Sequence, residues 1–326
     1  MKSAFMKSLI IITAILGMYA ANSPAQNLEA SKSGAALFTN AGWTVRGHVA
    51  LTNFVIQSHR GAGELAPENT LEAFELGWQL GTVPESDLRT TRDGVIVAFH
   101  DDNFSRVVKG ASAAMQKKGV ADVTFTELSK LDVGGWQAKQ FLGRHVSRMS
   151  EVFALMDGKP ERQLYLDIKN VSLPQLATEV REHHVQSQVI LASTYHEVIL
   201  EWKRLIPESQ TLLWMGGTES QLQKRMADLR AANFAGVTQL QIHTHLNTNS
   251  PSAEPFTLSR GFLQSAGAEL RSHGILYQTL PYNVTDPAVY WQLLDLGFTS
   301  FATDRPDVTL QAVRDYYAQA PATQLP

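Results

Sequence analysis

From residue 54 onward the chain reads as a single-domain α/β protein whose parallel strands close into a (β/α)8 barrel. Short apolar runs alternate with helical patterns through to the C-terminal segment, and alternation at this spacing makes a parallel sheet. About eight such units follow one another, and a closed barrel needs about 250 residues in one domain, which residues 54–326 supply. His59-Arg60-Gly61 and His100-Asp101 stand just past the ends of apolar runs, where folds of this class keep their chemistry.

Residues 54–57 form the first strand, and Gly61-Ala62-Gly63 lets the chain turn sharply. Asn69 is expected to cap the next helix, with Glu72 completing a capping-box pattern. Leu71, Phe74, Glu75 and Trp78 follow helical spacing, and Gly81 ends the run. Residues 82–88 form the second strand. Glu85 and Asp87 lie two apart, so both point to one face. Arg92-Asp93-Gly94 is a turn before a strand at 95–99. Residues 109–148 read as an inserted segment with a helix start within 122–128. A helix over 149–156 precedes a strand at 163–168, where Asp167 and Lys169 again share a face. Further strands are expected at 189–191, 211–215, 237–242, 275–280 and 299–302. Helices are expected over 197–205, 219–232, 261–273, 287–296 and 307–318.

A composition of 44% hydrophobic and 18% charged residues is that of an ordinary soluble globular protein. A formal net charge of −3 gives no reason to expect nucleic-acid or membrane-surface binding. Residues 1–25 have the layout of a secretory signal peptide: Lys2 and Lys7, an apolar run over 9–19, then Ser23-Pro24-Ala25 before Gln26. The run is shorter than the roughly 20 residues that span a bilayer, so no permanent membrane anchor is expected; an uncleaved N-terminal anchor is the alternative. Without cysteine neither a lipoprotein anchor nor a disulfide can form, and the expected location is secreted or periplasmic. Residues 26–53 read as a lead-in, a helix or arm across the bottom of the barrel.

Within 55–106 the chain carries His59-Arg60-Gly61, Pro67-Glu68-Asn69-Thr70, Ala73-Phe74, Glu85-x-Asp87, Thr91-x-Asp93-Gly94 and His100-Asp101. So many fixed residues in about fifty positions resemble the glycerophosphodiester phosphodiesterase family. The likeness continues more faintly through Asp167-Ile168-Lys169 to Ala302-Thr303-Asp304-Arg305-Pro306. The resemblance implies a TIM-type barrel and metal-dependent hydrolysis of a glycerophosphodiester, or a related small phosphodiester, as the small-molecule partner, the former giving an alcohol and glycerol 3-phosphate.

The chemistry of the residues agrees with that reading. Glu85, Asp87 and Asp167 are expected at the carboxyl ends of neighbouring strands, where three crowded carboxylates repel unless a divalent cation joins them. Oxygen-only ligands suit Mg²⁺ or Ca²⁺ rather than Zn²⁺. With that dication, a phosphodiester anion, Arg60 and Lys169, the charges cancel. Arg60 offers a fork to phosphate oxygens and Lys169 a point charge. His59 and His100 remain as a general acid–base pair whose order is open. A lone Glu-x-Asp is usually a solvated strand end, and a lone histidine usually structural; their joint spacing favours function. His243-Thr244-His245 would share a strand face, but no third ligand is evident, which favours a structural or substrate-lining role.

Three departures stand out. The family usually has Glu where Asp167 stands, a β-branched residue at Pro84, and Trp, lining the alcohol side of the pocket, at Gln278. Rival readings are a lyase that forms a cyclic phosphate, an inactive barrel that binds a phosphorylated ligand, and a sugar-active barrel. The last leaves both histidines and Arg60 unexplained.

Overall fold

A computed structural model describes residues 42–248 and 255–319. The signal peptide expected over 1–25 and most of the lead-in lie outside these residues.

Among the described residues nine strands form one sheet: β1 Val55–Ser58, β2 Val83–Thr90, β3 Ile96–Ala98, β4 Leu164–Asn170, β5 Val189–Ser193, β6 Gln210–Met215, β7 Gln239–Thr244, β8 Leu276–Pro281 and β9 Ser300–Thr303. Their order is β1-β9-β8-β7-β6-β5-β4-β2-β3, and β1 also pairs with β2. That pairing closes eight parallel strands into the expected barrel; β3 runs antiparallel to β2 and stays outside the ring. The seam is short, with only Gln57 opposite Val83 and Ser58 opposite Pro84.

The main core lies between the strands and the helices that cover them. Leu176, Ile199, Leu222, Leu263, Leu293 and Val313 place one fully buried side chain from each of six successive helices there. Inside the ring, Tyr165, Ile190, Ala192 and Leu212 form a small apolar plug, joined by buried Gln239, Gln241 and Gln278. The described lead-in contributes Val45 to the main core, and Trp43 stacks on Arg271 at 3.8 Å. No helix among the described residues is long and apolar enough to cross a membrane.

The inserted segment packs together with the residues just before it. Phe104, Val108, Val120, Val123, Leu128 and Val146 form a second apolar cluster. β3 clasps the two cores: Ile96 and Ala98 face the main one, Val97 and Phe99 the second.

One local reading changes. The helix Leu71–Leu80 is capped by Thr70, whose Oγ1 accepts from Ala73 N at 3.2 Å, and not by Asn69. Asn69 takes left-handed backbone angles (φ 57°) and turns its amide toward β2 instead. The helix Leu173–Glu182 stops before His183-His184, and His184 also has positive φ, so the pair forms the turn after the helix. Pro84 sits inside a central strand, but its missing N–H does little harm. It is the second residue of β2, and the β4 ladder begins only at Glu85.

Pro84 is accommodated by Gly77 on the covering helix. A Cβ added at Gly77 would stand 2.4 Å from Gly61 O and 2.8 Å from Pro84 Cγ. Gly77→Ala therefore overpacks the barrel seam and should cost about 1–3 kcal/mol, read as a lower midpoint in chemical denaturation. An unchanged midpoint would show that the helix shifts freely off β2.

Candidate active site

The strand register assembles the carboxylates. Asp87 on β2 lies directly opposite Asp167 on β4, and Glu85 is two residues earlier on the same face as Asp87. One ligand oxygen from each of Glu85, Asp87 and Asp167 falls within 4.8 Å of the others. Among the described residues they are the one group of three or more side chains able to hold a metal ion together. Glu85 and Asp87 are buried; Asp167 is partly so.

Their surroundings divide the charge unequally. Burial pushes the Glu85 carboxyl up to about 8, and the neighbouring Asp87 adds to the rise. Burial also raises Asp167. Burial opposes the charge on Asp87 as well, yet Lys169, the two histidines and Arg60 outweigh it and hold its pKa below the ordinary value. Lys169 Nζ lies 2.6 Å from Asp167 Oδ2 and 3.2 Å from Asp87 Oδ1. Asn69 grips Asp87 twice: Nδ2 donates to Oδ2 at 2.9 Å, and Oδ1 accepts from the Asp87 backbone N–H at 3.0 Å. Asp87 Oδ1 is buried and makes no hydrogen bond. A buried, charged oxygen without a hydrogen bond in an all-carboxylate set fits a hard divalent cation such as Mg²⁺ or Ca²⁺.

Two histidines face this cluster. Gln57, His59, Glu85, His100, Asp167 and Lys169 are among the residues lining one cavity of ≈ 330 Å³. His59 follows β1, and its Nδ1 lies 2.7 Å from Asp304 Oδ1 just past β9. His100 follows β3, and its Nδ1 lies 2.7 Å from Asp101 Oδ1. Burial alone would lower His59, but the bond to Asp304 and the charges of Glu85 and Asp304 dominate, and it is pushed up to about 9. Asp101 is held down to about 2: burial opposes this, but Arg106 and His100 prevail.

Arg60 has left-handed backbone angles (φ 54°). That turns its N–H onto Glu85 Oε2 at 2.7 Å. Its Nη1 donates to Glu68 Oε2 at 3.1 Å, and its buried Nε has no hydrogen-bond partner. Glu68 also accepts from Arg106 Nη1 at 2.7 Å, and Arg106 Nε donates to Asp101 Oδ2 at 2.7 Å. Arg89, two residues beyond Asp87, donates from Nη2 to the His100 carbonyl at 2.8 Å.

The structure thus brings His59, Arg60, Glu85, Asp87, His100, Asp167 and Lys169 to one end of the barrel. Sequence reasoning gave no role to Asp304, Glu68, Arg89 or Arg106. For Asp304 a signal existed: it stands just past the last strand, as His59 stands past the first. His243 and His245 join no metal-capable group among the described residues; His243 lines the cavity and stacks on Trp214 at 5.2 Å. Gln278 does not line it. Fully buried inside the barrel, it bonds Gln241 and Ser300, and Leu280 and Tyr282 form the cavity wall above it.

The glycerophosphoryl diester phosphodiesterase family model matches residues 59–308. A glycerophosphodiester phosphodiesterase of Bacillus subtilis is 26% identical over 277 residues, covering 79% of this chain and 86% of the relative. Another, from Caldanaerobacter subterraneus, is 30% identical over 160 residues, 47% of this chain and 63% of its own. Among solved structures, a glycerophosphodiester phosphodiesterase of Agrobacterium tumefaciens superposes with a TM-score of 0.61 at 23% identity, covering 79% of this chain and 99% of its own. An Oleispira antarctica phosphodiesterase in complex with the product sn-glycerol-3-phosphate superposes with a TM-score of 0.59 at 22% identity, covering 80% and 96%. Those likenesses carry the barrel, and the family match spans its ring from the end of β1 to beyond β9. The chain belongs to the glycerophosphoryl diester phosphodiesterase family and is a phosphodiesterase.

Proposed function

We propose that the chain hydrolyses a glycerophosphodiester to an alcohol and glycerol 3-phosphate, with a divalent cation held by Glu85, Asp87 and Asp167 and with His59 and His100 as acid and base. One observation carries this reading: two histidines, each with Nδ1 on a carboxylate, face the three-carboxylate cluster across one cavity. The name of the Bacillus subtilis relative and the product bound to the Oleispira enzyme support the substrate class.

The cation, when bound, supplies positive charge to a phosphate oxygen as negative charge builds there. The remaining work falls to the chain. Arg60 donates to phosphate oxygens, and Lys169 places its charge beside Asp87 and Asp167. Asp304 and Asp101 fix the ring orientation of His59 and His100 through Nδ1. Each Nε2 then remains for proton transfer, one taking a proton from the attacking oxygen and the other giving one to the leaving alkoxide. The chain Arg60–Glu68–Arg106–Asp101 ties the phosphate-side arginine to the carboxylate behind His100. Export after cleavage before Gln26 belongs to the same proposal, and the N-terminal residue of the exported protein tests it.

Turnover of glycerophosphocholine should vanish in EDTA and return with Mg²⁺ or Ca²⁺. Full activity in EDTA would sink the metal-dependent reading. His59→Ala and His100→Ala should each lower kcat by about 10²–10⁴, and a loss under tenfold in either would remove that ring from the acid–base pair. The pH profile tests the dyad at His59. Asp304 raises the pKa of His59, so Asp304→Asn should move the limb of kcat/KM belonging to His59 to lower pH. A limb that stays in place would leave Asp304 outside the chemistry.

A further inference from the structure

One wall of the cavity is aromatic. His243 stacks on Trp214 with planes 5° apart, and His245 stacks on Tyr282 at 4.7 Å with planes 4° apart. Tyr282 meets the edge of His243 at 5.3 Å. It also borders a second cleft of ≈ 620 Å³, and His59 and Arg60 line both spaces. The Tyr282 ring therefore stands at the junction where a diester with two organic arms would cross.

Behind this wall runs a chain of hydrogen bonds whose direction is fixed at its far end. Ser300 Oγ lies 2.9 Å from the Val55 carbonyl oxygen, which can only accept, so the Ser300 proton is spent there. Ser300 Oγ must then accept from Gln278, 2.9 Å away, which turns the Gln278 amide nitrogen toward it. The Gln278 oxygen faces Gln241 and accepts from its nitrogen. The Gln241 oxygen in turn lies 2.9 Å from His243 Nε2, so that nitrogen carries the ring proton. Burial drives the His243 pKa down to about 4, and the ring is neutral with a single N–H. Its Nδ1 is bare and accepts from the Tyr282 hydroxyl at 3.3 Å. A carbonyl at the barrel floor thus decides which way a phenol points at the mouth.

We propose that Tyr282 is the specificity residue for the glycerol arm of the substrate, its phenolic oxygen accepting a hydrogen bond from a glycerol hydroxyl. This rests on the glycerophosphodiester reading above. With its proton committed to His243, the oxygen offers lone pairs alone. It repels phosphate oxygens, leaving them to Arg60 and Lys169, and welcomes a hydroxyl. An arm without a hydroxyl leaves the phenol oxygen unpaired, and sites built around such a bond discriminate strongly. The stacked His245 holds the ring in place.

The test is a ratio of two affinities. Glycerol 3-phosphate and propyl phosphate share the phosphate and the three-carbon chain but differ in hydroxyls. Both would be titrated calorimetrically into the full chain with Mg²⁺ or Ca²⁺ present. The native protein should prefer glycerol 3-phosphate by roughly tenfold, about the effect of one net hydrogen bond. Tyr282→Phe should bring the ratio near one, and His243→Phe, which keeps a stacked ring but removes the acceptor, should lower it as well. A native ratio near one, or a ratio kept in either variant, overturns the proposal. Turnover of glycerophosphocholine is scored separately. A protein that turns it over yet binds both phosphates alike sinks this inference alone. One that prefers glycerol 3-phosphate but hydrolyses no diester sinks the hydrolase reading alone, and one that binds neither phosphate and hydrolyses no diester sinks both.

Discussion

A fully buried aspartate is the constraint on which the mouth of this barrel turns. Asp87 has no exposed surface, and a charge so placed is tolerated only when opposite charge and donors surround it. Its neighbours answer that demand from three sides: Asn69 Nδ2 from the loop after β1, Arg60 from the same loop at 3.8 Å, and Lys169 from β4. Two of these residues, Arg60 and Asn69, pay in backbone conformation, since both stand at positive φ. The loop between β1 and the first covering helix is thus shaped less by its own turn preferences than by what Asp87 requires.

The same constraint explains why some of the site was legible in the sequence and some was not. Glu85-x-Asp87 and Asp167-x-Lys169 follow from the period of a strand, which the chain states locally. Their meeting needs only that β2 and β4 be neighbours, and Asp87 is indeed opposite Asp167. The capping residue is different. Asn69 and Thr70 are both good caps, and what separates them is a carboxylate 18 residues away. The pairing of His59 with Asp304 spans 245 residues and appears only when the barrel closes. Gln278 lies one layer deeper than the family tryptophan implies: β8 alternates in and out, so position 278 lies inside the barrel, two residues below the cavity wall at Leu280.

The barrel itself was readable because its signal repeats. Each expected strand after 163 has a counterpart shifted by a residue or two, the usual uncertainty where helix or strand ends fray. The helix Leu173–Glu182 went unread, although its buried residues Leu173, Leu176, Ala177 and Val180 keep helical spacing. Pro174 within its first turn resembles a breaker in the sequence, whereas a proline there is compatible with a helix start.

The two histidines do not rest on the same foundation. His59 leaves a strand of the closed ring, whose neighbours on both sides are hydrogen-bonded. His100 leaves β3, which borders the ring at β2 alone and leans on the second apolar cluster through Val97 and Phe99. Proteins open in cooperative units that follow such divisions of packing. The inserted segment then meets the site at two places: behind His100, and at the second cleft, which Trp136 and Gln137 line together with His59 and Arg60. Its loosening would withdraw His100 and open that cleft, while the strands that bear the three carboxylates and His59 remain paired to one another.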